Sequence, residues 1–187
     1  MITECIIFLA SFGVSAEVNS PIQDSYYIDN YFNCVETVPR TMWKYADFYY
    51  EFYDVENIDT AIRIGWCESR GKENAVRTAE GNYDTGVMQF VSWTWNWLAD
   101  NNYVPYWNEW VILKHDRPYT SDTVSKTSMG FSQVQAQKSA YWNIYASSVL
   151  AEDIYGRTQW RDWSSSEWCW GDETYFHEKW RNELNEN

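Results

Sequence analysis

Apolar residues recur at helical intervals at Ile58, Ala61, Ile62, Gly65 and Trp66, with polar residues between them. This spacing predicts a helix with one buried stripe. Asn57 or Asp59 would cap it, and Gly71 would stop it. Glu68 then falls in the last turn. Residues 41–53 also suit a helix, without a strong capping residue. Residues 72–86 are polar, and Gly81-Asn82 is a turn signal, so a small hairpin or loop is expected there. Ser92 reads as the N-cap of a helix reaching about Asp100. From Asn101 to Gly130 no period dominates and Pro105 and Pro118 intervene. A long irregular stretch is therefore expected, of the kind that in a compact domain is usually functional or mobile. Ser132 and Gln135 form a capping-box pair, which predicts that the longest helix opens there and runs to about Tyr155, before Gly156. The Trp-rich segment Trp160–Trp170 is expected to pack back on the core. Residues 171–187 are polar and read as a short helix or a frayed end. The chain shows no internal repeat and no low-complexity linker.

The N-terminus departs from this pattern. Residues Cys5 to Val14 are mostly apolar and lead into Val14-Ser15-Ala16, a small-residue pattern of the kind signal peptidases cut after. The run is too short to span a membrane as a helix, and Met1-Ile2-Thr3-Glu4 carries no Lys or Arg. Residues 1–16 therefore read as a cleaved signal peptide or, alternatively, as a buried N-terminal segment. The four cysteines are Cys5, Cys34, Cys67 and Cys169. Removal of residues 1–16 would leave three, enough for one internal disulfide and one leftover thiol. With no CxxC pair, and His115 and His177 as the only histidines, no zinc site is expected.

Composition adds two constraints. A chain of 187 residues suits one domain with a full core. Its 13 Trp and 15 Tyr are more large flat side chains than one core hides. Some should line a groove, where an apolar face with a polar tip suits stacking on sugars. An aromatic-heavy core and surface is the alternative. The net charge of −13 excludes the basic patch that a nucleic-acid partner requires. It also opposes docking on anionic lipid.

Three motifs then stand in order along the chain. Cys67-Glu68-Ser69-Arg70-Gly71 resembles the Cys-Glu-Ser-Gly-Gly of resuscitation-promoting factors and the Glu-Ser of soluble lytic transglycosylases. Gly86-Val87-Met88-Gln89-Phe90, followed by Thr94-Trp95, resembles the Gly-Leu-Met-Gln-Phe segment and downstream Ser/Thr-Trp of the same proteins. Asn143-Ile144 is similar to the Asn-Ile of the transglycosylase third helix. The Ala-Tyr-Asn-Ala-Gly motif of many transglycosylases is absent. In its place stands the Trp160–Trp170 segment, which resembles the closing Trp and Cys of the resuscitation factors. The resemblance covers about residues 57–170. It implies a mainly α (α+β) lysozyme-like fold with a small β element near residues 75–90 and a cleft between two lobes. It also implies a Cys67–Cys169 disulfide tying the catalytic helix to the C-terminal segment. On this reading residues 17–56 are an aromatic-rich extension packing on the core, 57–170 the catalytic domain and 171–187 a polar tail.

The activity implied is cleavage of the β-1,4 link between N-acetylmuramic acid and N-acetylglucosamine in peptidoglycan, outside the cytoplasm in the periplasm, the medium or a virion. No cofactor, metal, nucleic-acid partner or stable membrane insertion goes with it. Glu68 would be the general acid, which must still be protonated near neutral pH. The negative end of the helix dipole, with Trp66, Trp93 or Trp95 nearby, would disfavour its ionised form. Asp84-Thr85-Gly86-Val87-Met88-Gln89 resembles the Asp-Tyr-Gly-Ile-Leu-Gln of chicken-type lysozymes, where the Asp is nucleophile or ion stabiliser. Asp84 would separate a hydrolase from a transglycosylase, unless it is a turn residue bonding its own loop. Gln89 would bond a sugar hydroxyl or N-acetyl group, or pair with backbone. Trp93, Trp95 and Tyr141 are candidates for stacking. Asn143 would position Glu68 or substrate, or satisfy neighbouring backbone. Arg70 suits a substrate carboxylate or a surface role. A non-catalytic glycan-binding or virion structural protein on the same fold stays open as a rival, as does a chitin-active enzyme.

Overall fold

The computed structural model describes residues 2–12, 33–79, 82–114, 125–126, 131–152 and 159–185. In chain order the elements are α1 (Ile2–Phe12), α2 (Arg40–Trp43), α3 (Ala46–Phe52), α4 (Val55–Ser69), β1 (Val76–Ala79), β2 (Asn82–Thr85) and β3 (Phe90–Val91). There follow α5 (Ser92–Asp100), β4 (Trp110–Lys114), β5 (Ser125–Lys126), β6 (Phe131–Gln135), α6 (Ala140–Ala151), α7 (Glu167–Trp170) and α8 (Glu173–Asn185). The protein is mainly helical with small antiparallel sheets. It divides into two units, one from the described residues of Met1–Gly71 and Thr158–Asn187, the other from those of Lys72–Arg157.

The first unit is helical. Ile58, Ala61, Ile62, Gly65 and Trp66 are all buried, so the helical stripe read from the sequence is the inner face of α4. The helix starts at Val55, two residues before Asn57, with Asp54 at its N-cap. Its partners come from both chain ends. Ile2, Ile6 and Leu9 of α1 are fully buried, and α1 lies against α3 and α4. Trp43, Tyr45 and Tyr49 fill the same core from residues 41–53, and Phe176 and Trp180 come from α8. The polar C-terminal residues are therefore a 13-residue helix with an apolar inner face. Arg181 donates from it to the Glu36 carbonyl at 3.0 Å.

A Cys5–Cys34 disulfide with Cα atoms 5.2 Å apart fastens α1 to the helical turn at 33–37. No cysteine is free. Cys5, from the apolar N-terminal run, belongs to the described core and is paired in this bridge. Val14-Ser15-Ala16 lies outside the described residues. None of the helices described is long and apolar enough to cross a membrane.

The second unit carries the sheets. β1, β2 and β3 pair antiparallel in that order, with Arg77 opposite Asp84 and Thr85 opposite both Val76 and Phe90. This is the small β element expected near residues 75–90. Ser92 opens α5, but as its first helical residue; Val91 is the N-cap and the Ser92 hydroxyl donates to the Tyr83 carbonyl. The stretch 101–130 is not wholly irregular, since β4 and β5 lie in it and flank β6 in a second sheet.

The largest correction concerns Ser132 and Gln135. Residues 131–135 are strand β6, paired with β4 from Trp110↔Gln135 to Lys114↔Phe131. The alternating Phe-Ser-Gln-Val-Gln suits a strand with period two, and a long-range partner decides between it and the local capping pattern. The helix opens instead at Ala140, where Ser139 Oγ accepts the Trp142 N–H, and it ends at Ala151. It spans 12 residues against 15 for α4. Tyr155 and Gly156 lie outside the described residues.

Candidate functional site

Glu68 stands on the last turn of α4, and that end is held from several sides. Arg70 adopts the left-handed conformation (φ 58°), and its N–H bonds the Trp66 carbonyl at 2.8 Å. Its guanidinium donates to the carbonyls of Trp66 and Cys67 at 3.0 and 2.9 Å and lies over the Trp66 ring. The remaining donors take both oxygens of Glu183 at 2.8 and 2.9 Å. Arg70 is therefore a cap on carbonyls that the helix leaves open, with its charge already paired. Gly71 follows at φ 72°, where a Cβ would meet the Thr41 carbonyl at 2.9 Å.

Next to Glu68, Cys67 is bridged to Cys169 with Cα atoms 6.0 Å apart. The bridge lays the segment Arg161–Trp170 against the helix end. Ser166 Oγ donates to Glu68 Oε1 at 2.5 Å. The same hydroxyl oxygen accepts the Trp170 indole N–H at 3.1 Å. The Trp163 carbonyl accepts the Trp170 indole N–H at 3.1 Å and lies 3.0 Å from Ser166 Oγ, an alternative acceptor for its one proton. Trp163 and Trp170 are buried, so this polar group sits on an apolar backing. Trp66, two residues before Glu68 and on the buried face, packs edge-on against Phe176 with centroids 5.3 Å apart.

In the second unit the motif Gly86-Val87-Met88-Gln89 is the turn between β2 and β3. Gly86 has φ 89°, and a Cβ there would collide with the Asn143 amide and the Gln137 carbonyl. Only glycine fits both the dihedral and the space. Asn143 is 0% exposed. Its Oδ1 accepts the Met88 N–H at 2.6 Å, and its Nδ2 donates to Thr85 O at 3.1 Å and Gln137 O at 3.0 Å. Of the roles expected for Asn143, satisfying neighbouring backbone is the one observed. Gln89 also has a positive φ of 51°. Its Nε2 donates to the carbonyls of Ala75 and Gly86 at 3.1 and 2.8 Å. The motif pair is thus a self-bonded turn, pinned from α6.

Asp84 is a strand residue and does not fold into its own loop. Its cross-strand neighbour Arg77 brings Nε to 4.0 Å from Oδ2, and the Asp84 side chain is 19% exposed. Burial raises its pKa above the ordinary 3.8, and Arg77 pulls the other way. Side chains alternate along a strand, so Asp84 and Arg77 share one sheet face and Val76, Tyr83 and Thr85 the other. A cavity of about 470 Å³ lies on that second face, lined also by Ser92, Trp107, Gln135, Gln137 and Lys138.

The stacking candidates separate. Trp93 is 59% exposed. Trp95 is fully buried, edge-on to Phe90 with its indole N–H on the Pro105 carbonyl at 2.7 Å. It is a core residue and offers no face for a sugar. Tyr141 is half-buried and edge-on to Trp142. Exposed aromatics absent from the sequence candidates include Tyr83, Tyr106, Trp107 and Trp110 in the second unit and Tyr50, Trp168 and Tyr175 in the first.

Ser166 is the site residue that the sequence reading missed. Its signal is positional, one helical turn before a cysteine implied to bridge to Glu68's neighbour. Among the described residues no group of three or more His, Cys, Asp or Glu could hold a metal ion. The chain matches no family model, no curated protein and no solved structure.

Proposed function

We propose that this protein is an exported glycosidase with a lysozyme-like fold that cleaves the β-1,4 link between N-acetylmuramic acid and N-acetylglucosamine in peptidoglycan. Glu68 is its general acid. The observation that carries this reading is the setting of Glu68, a carboxyl on a helix end braced by a disulfide, a capping arginine and a serine hydroxyl. Such bracing is what a group that must meet one substrate oxygen needs. The Cys67–Cys169 bridge, which the resemblance implied, adds support, as does the closed Gly86–Gln89 turn with Asn143 behind it. Two disulfides agree with an oxidising compartment.

In the proposed reaction the Glu68 proton passes to the glycosidic oxygen as the C1–O bond breaks. The sugar cation is then captured by water, or by its own 6-hydroxyl, and the Glu68 carboxylate takes the proton released. Water gives a reducing end, and the 6-hydroxyl gives a 1,6-anhydro end. The hydrolytic route would further require an ionised carboxylate to stabilise the cation, the role proposed for Asp84. Exposed Trp93 and Trp107 supply faces for sugar rings in the second unit.

Digestion of purified peptidoglycan and of chitin, followed by mass analysis of the fragments, tests the reading. Muropeptides from peptidoglycan with no chitin products support it. Chitin fragments alone would make the enzyme chitin-active, and glycan binding without any cleavage would make it a binding protein.

A further inference from the structure

We propose that Ser166 is a positioning residue that fixes which oxygen of Glu68 carries the catalytic proton and steadies the charge left behind. The inference rests on the reading of Glu68 as general acid.

A serine hydroxyl has one proton to give. Here two acceptors stand within reach, Glu68 Oε1 at 2.5 Å and the Trp163 carbonyl at 3.0 Å. The Trp163 carbonyl is already served by the Trp170 indole N–H at 3.1 Å. A carbonyl can accept two hydrogen bonds, so distance decides: the carboxyl oxygen is the nearer acceptor, and the Ser166 proton goes to Glu68 Oε1. The Trp170 N–H also reaches the Ser166 oxygen, at 3.1 Å, and polarises its O–H toward the carboxyl.

In the neutral acid the carbonyl oxygen is the better hydrogen-bond acceptor of the two. Oε1 is held in that role, so the acid proton resides on Oε2. When Oε2–H is transferred to the leaving oxygen, negative charge appears on the carboxylate, and the Ser166 bond becomes charge-assisted and stronger. Ser166 keeps its own proton throughout. A contact that strengthens as the reaction proceeds lowers the barrier without tightening substrate binding.

The placement is built into the fold. Ser166 closes the 3-10 segment Arg161–Ser166, three residues before Cys169, and the Cys67–Cys169 bridge anchors both sides of the contact. The tail that replaces the missing transglycosylase motif thereby supplies a group to the general acid.

The test is steady-state cleavage of purified peptidoglycan by the full oxidised chain and by its Ser166→Ala, Ser166→Thr, Trp170→Phe and Glu68→Gln variants. Ser166→Ala should lower kcat by about 10–100-fold, with KM within about twofold of wild type. Ser166→Thr, which keeps the hydroxyl, should recover most of that loss. Trp170→Phe should lower kcat by a smaller factor, about threefold, and it carries the test should Ser166→Ala misfold by near-ultraviolet circular dichroism. An inactive Glu68→Gln beside a Ser166→Ala with normal kcat overturns the Ser166 role alone. A rise in KM at unchanged kcat, or a Ser166→Thr no better than Ser166→Ala, also overturns it. A fully active Glu68→Gln removes the premise as well.

Discussion

Replacing Asn143 with alanine isolates what holds the Gly86–Gln89 turn in place. The side chain is fully buried and serves three backbone groups, the Met88 N–H and the carbonyls of Thr85 and Gln137. Alanine leaves the Met88 donor stranded at a cost of about 1–3 kcal/mol. Thr85 O lies in the β2–β3 ladder, whereas Gln137 O precedes α6 and takes only the Asn143 amide among the described bonds. One under-served carbonyl adds about 1 kcal/mol, and the space left by three heavy atoms adds about 1 more. The sum is about 3–5 kcal/mol. Asparagine to aspartate is the informative companion, because it keeps the acceptor for Met88 but turns two donations into oxygen–oxygen repulsion. Urea unfolding measures the loss, and hydrogen exchange at the Met88 amide localises it. Protection at Met88 should fall more than protection within α4. A loss below about 1 kcal/mol with Met88 still protected would refute the assignment of Asn143 as the pin of this turn.

Two further outcomes follow from the same geometry. Replacing Cys67 and Cys169 by serine together opens a loop with a sequence separation of 102. Stability in denaturant should drop by about 4–5 kcal/mol in the chain-entropy estimate, and cleavage should weaken as the α4 end loosens; unchanged cleavage would separate the bridge from function. For Asp84 the raised pKa means that the folded state binds more protons than the unfolded chain just above pH 3.8. Stability should therefore decline as pH rises through that window. Asp84→Asn should remove the decline, read from melting curves against pH. Full activity of that variant with 1,6-anhydro ends would assign the protein to the transglycosylase route.

Some of this was legible in the residues alone because it is local. The α4 stripe, the stop at Gly71, the small β element and the segment Ser92–Asp100 each follow from period or turn chemistry within a few positions. What escaped depends on distant partners. Ser132 and Gln135 spell a helix start, yet residues 131–135 pair with Trp110–Lys114 as strand. Cys5 sits in an apolar run that resembles a leader, and only the packing of α1 shows its bridge to Cys34. Trp95 reads as a sugar platform from its motif, but the helix turns it into the core. Arg70 reads as a partner for a substrate carboxylate or a surface residue, and only the fold brings Glu183, 113 positions away, to take its charge. Ser166 carries no motif of its own and gains meaning through the fold that brings it to Glu68.

The measurement that bears most directly on the central claim is peptidoglycan cleavage by Glu68→Gln beside wild type. The amide keeps the shape of the side chain and can still accept from Ser166, but it has no acid proton to give to the leaving oxygen. Muropeptide release should fall by at least about 10²-fold, the lower bound for losing general-acid catalysis. The thermal melt and sedimentation with insoluble peptidoglycan should stay near wild type. Muropeptide release at a near-wild-type rate by the folded Glu68→Gln variant would contradict the account.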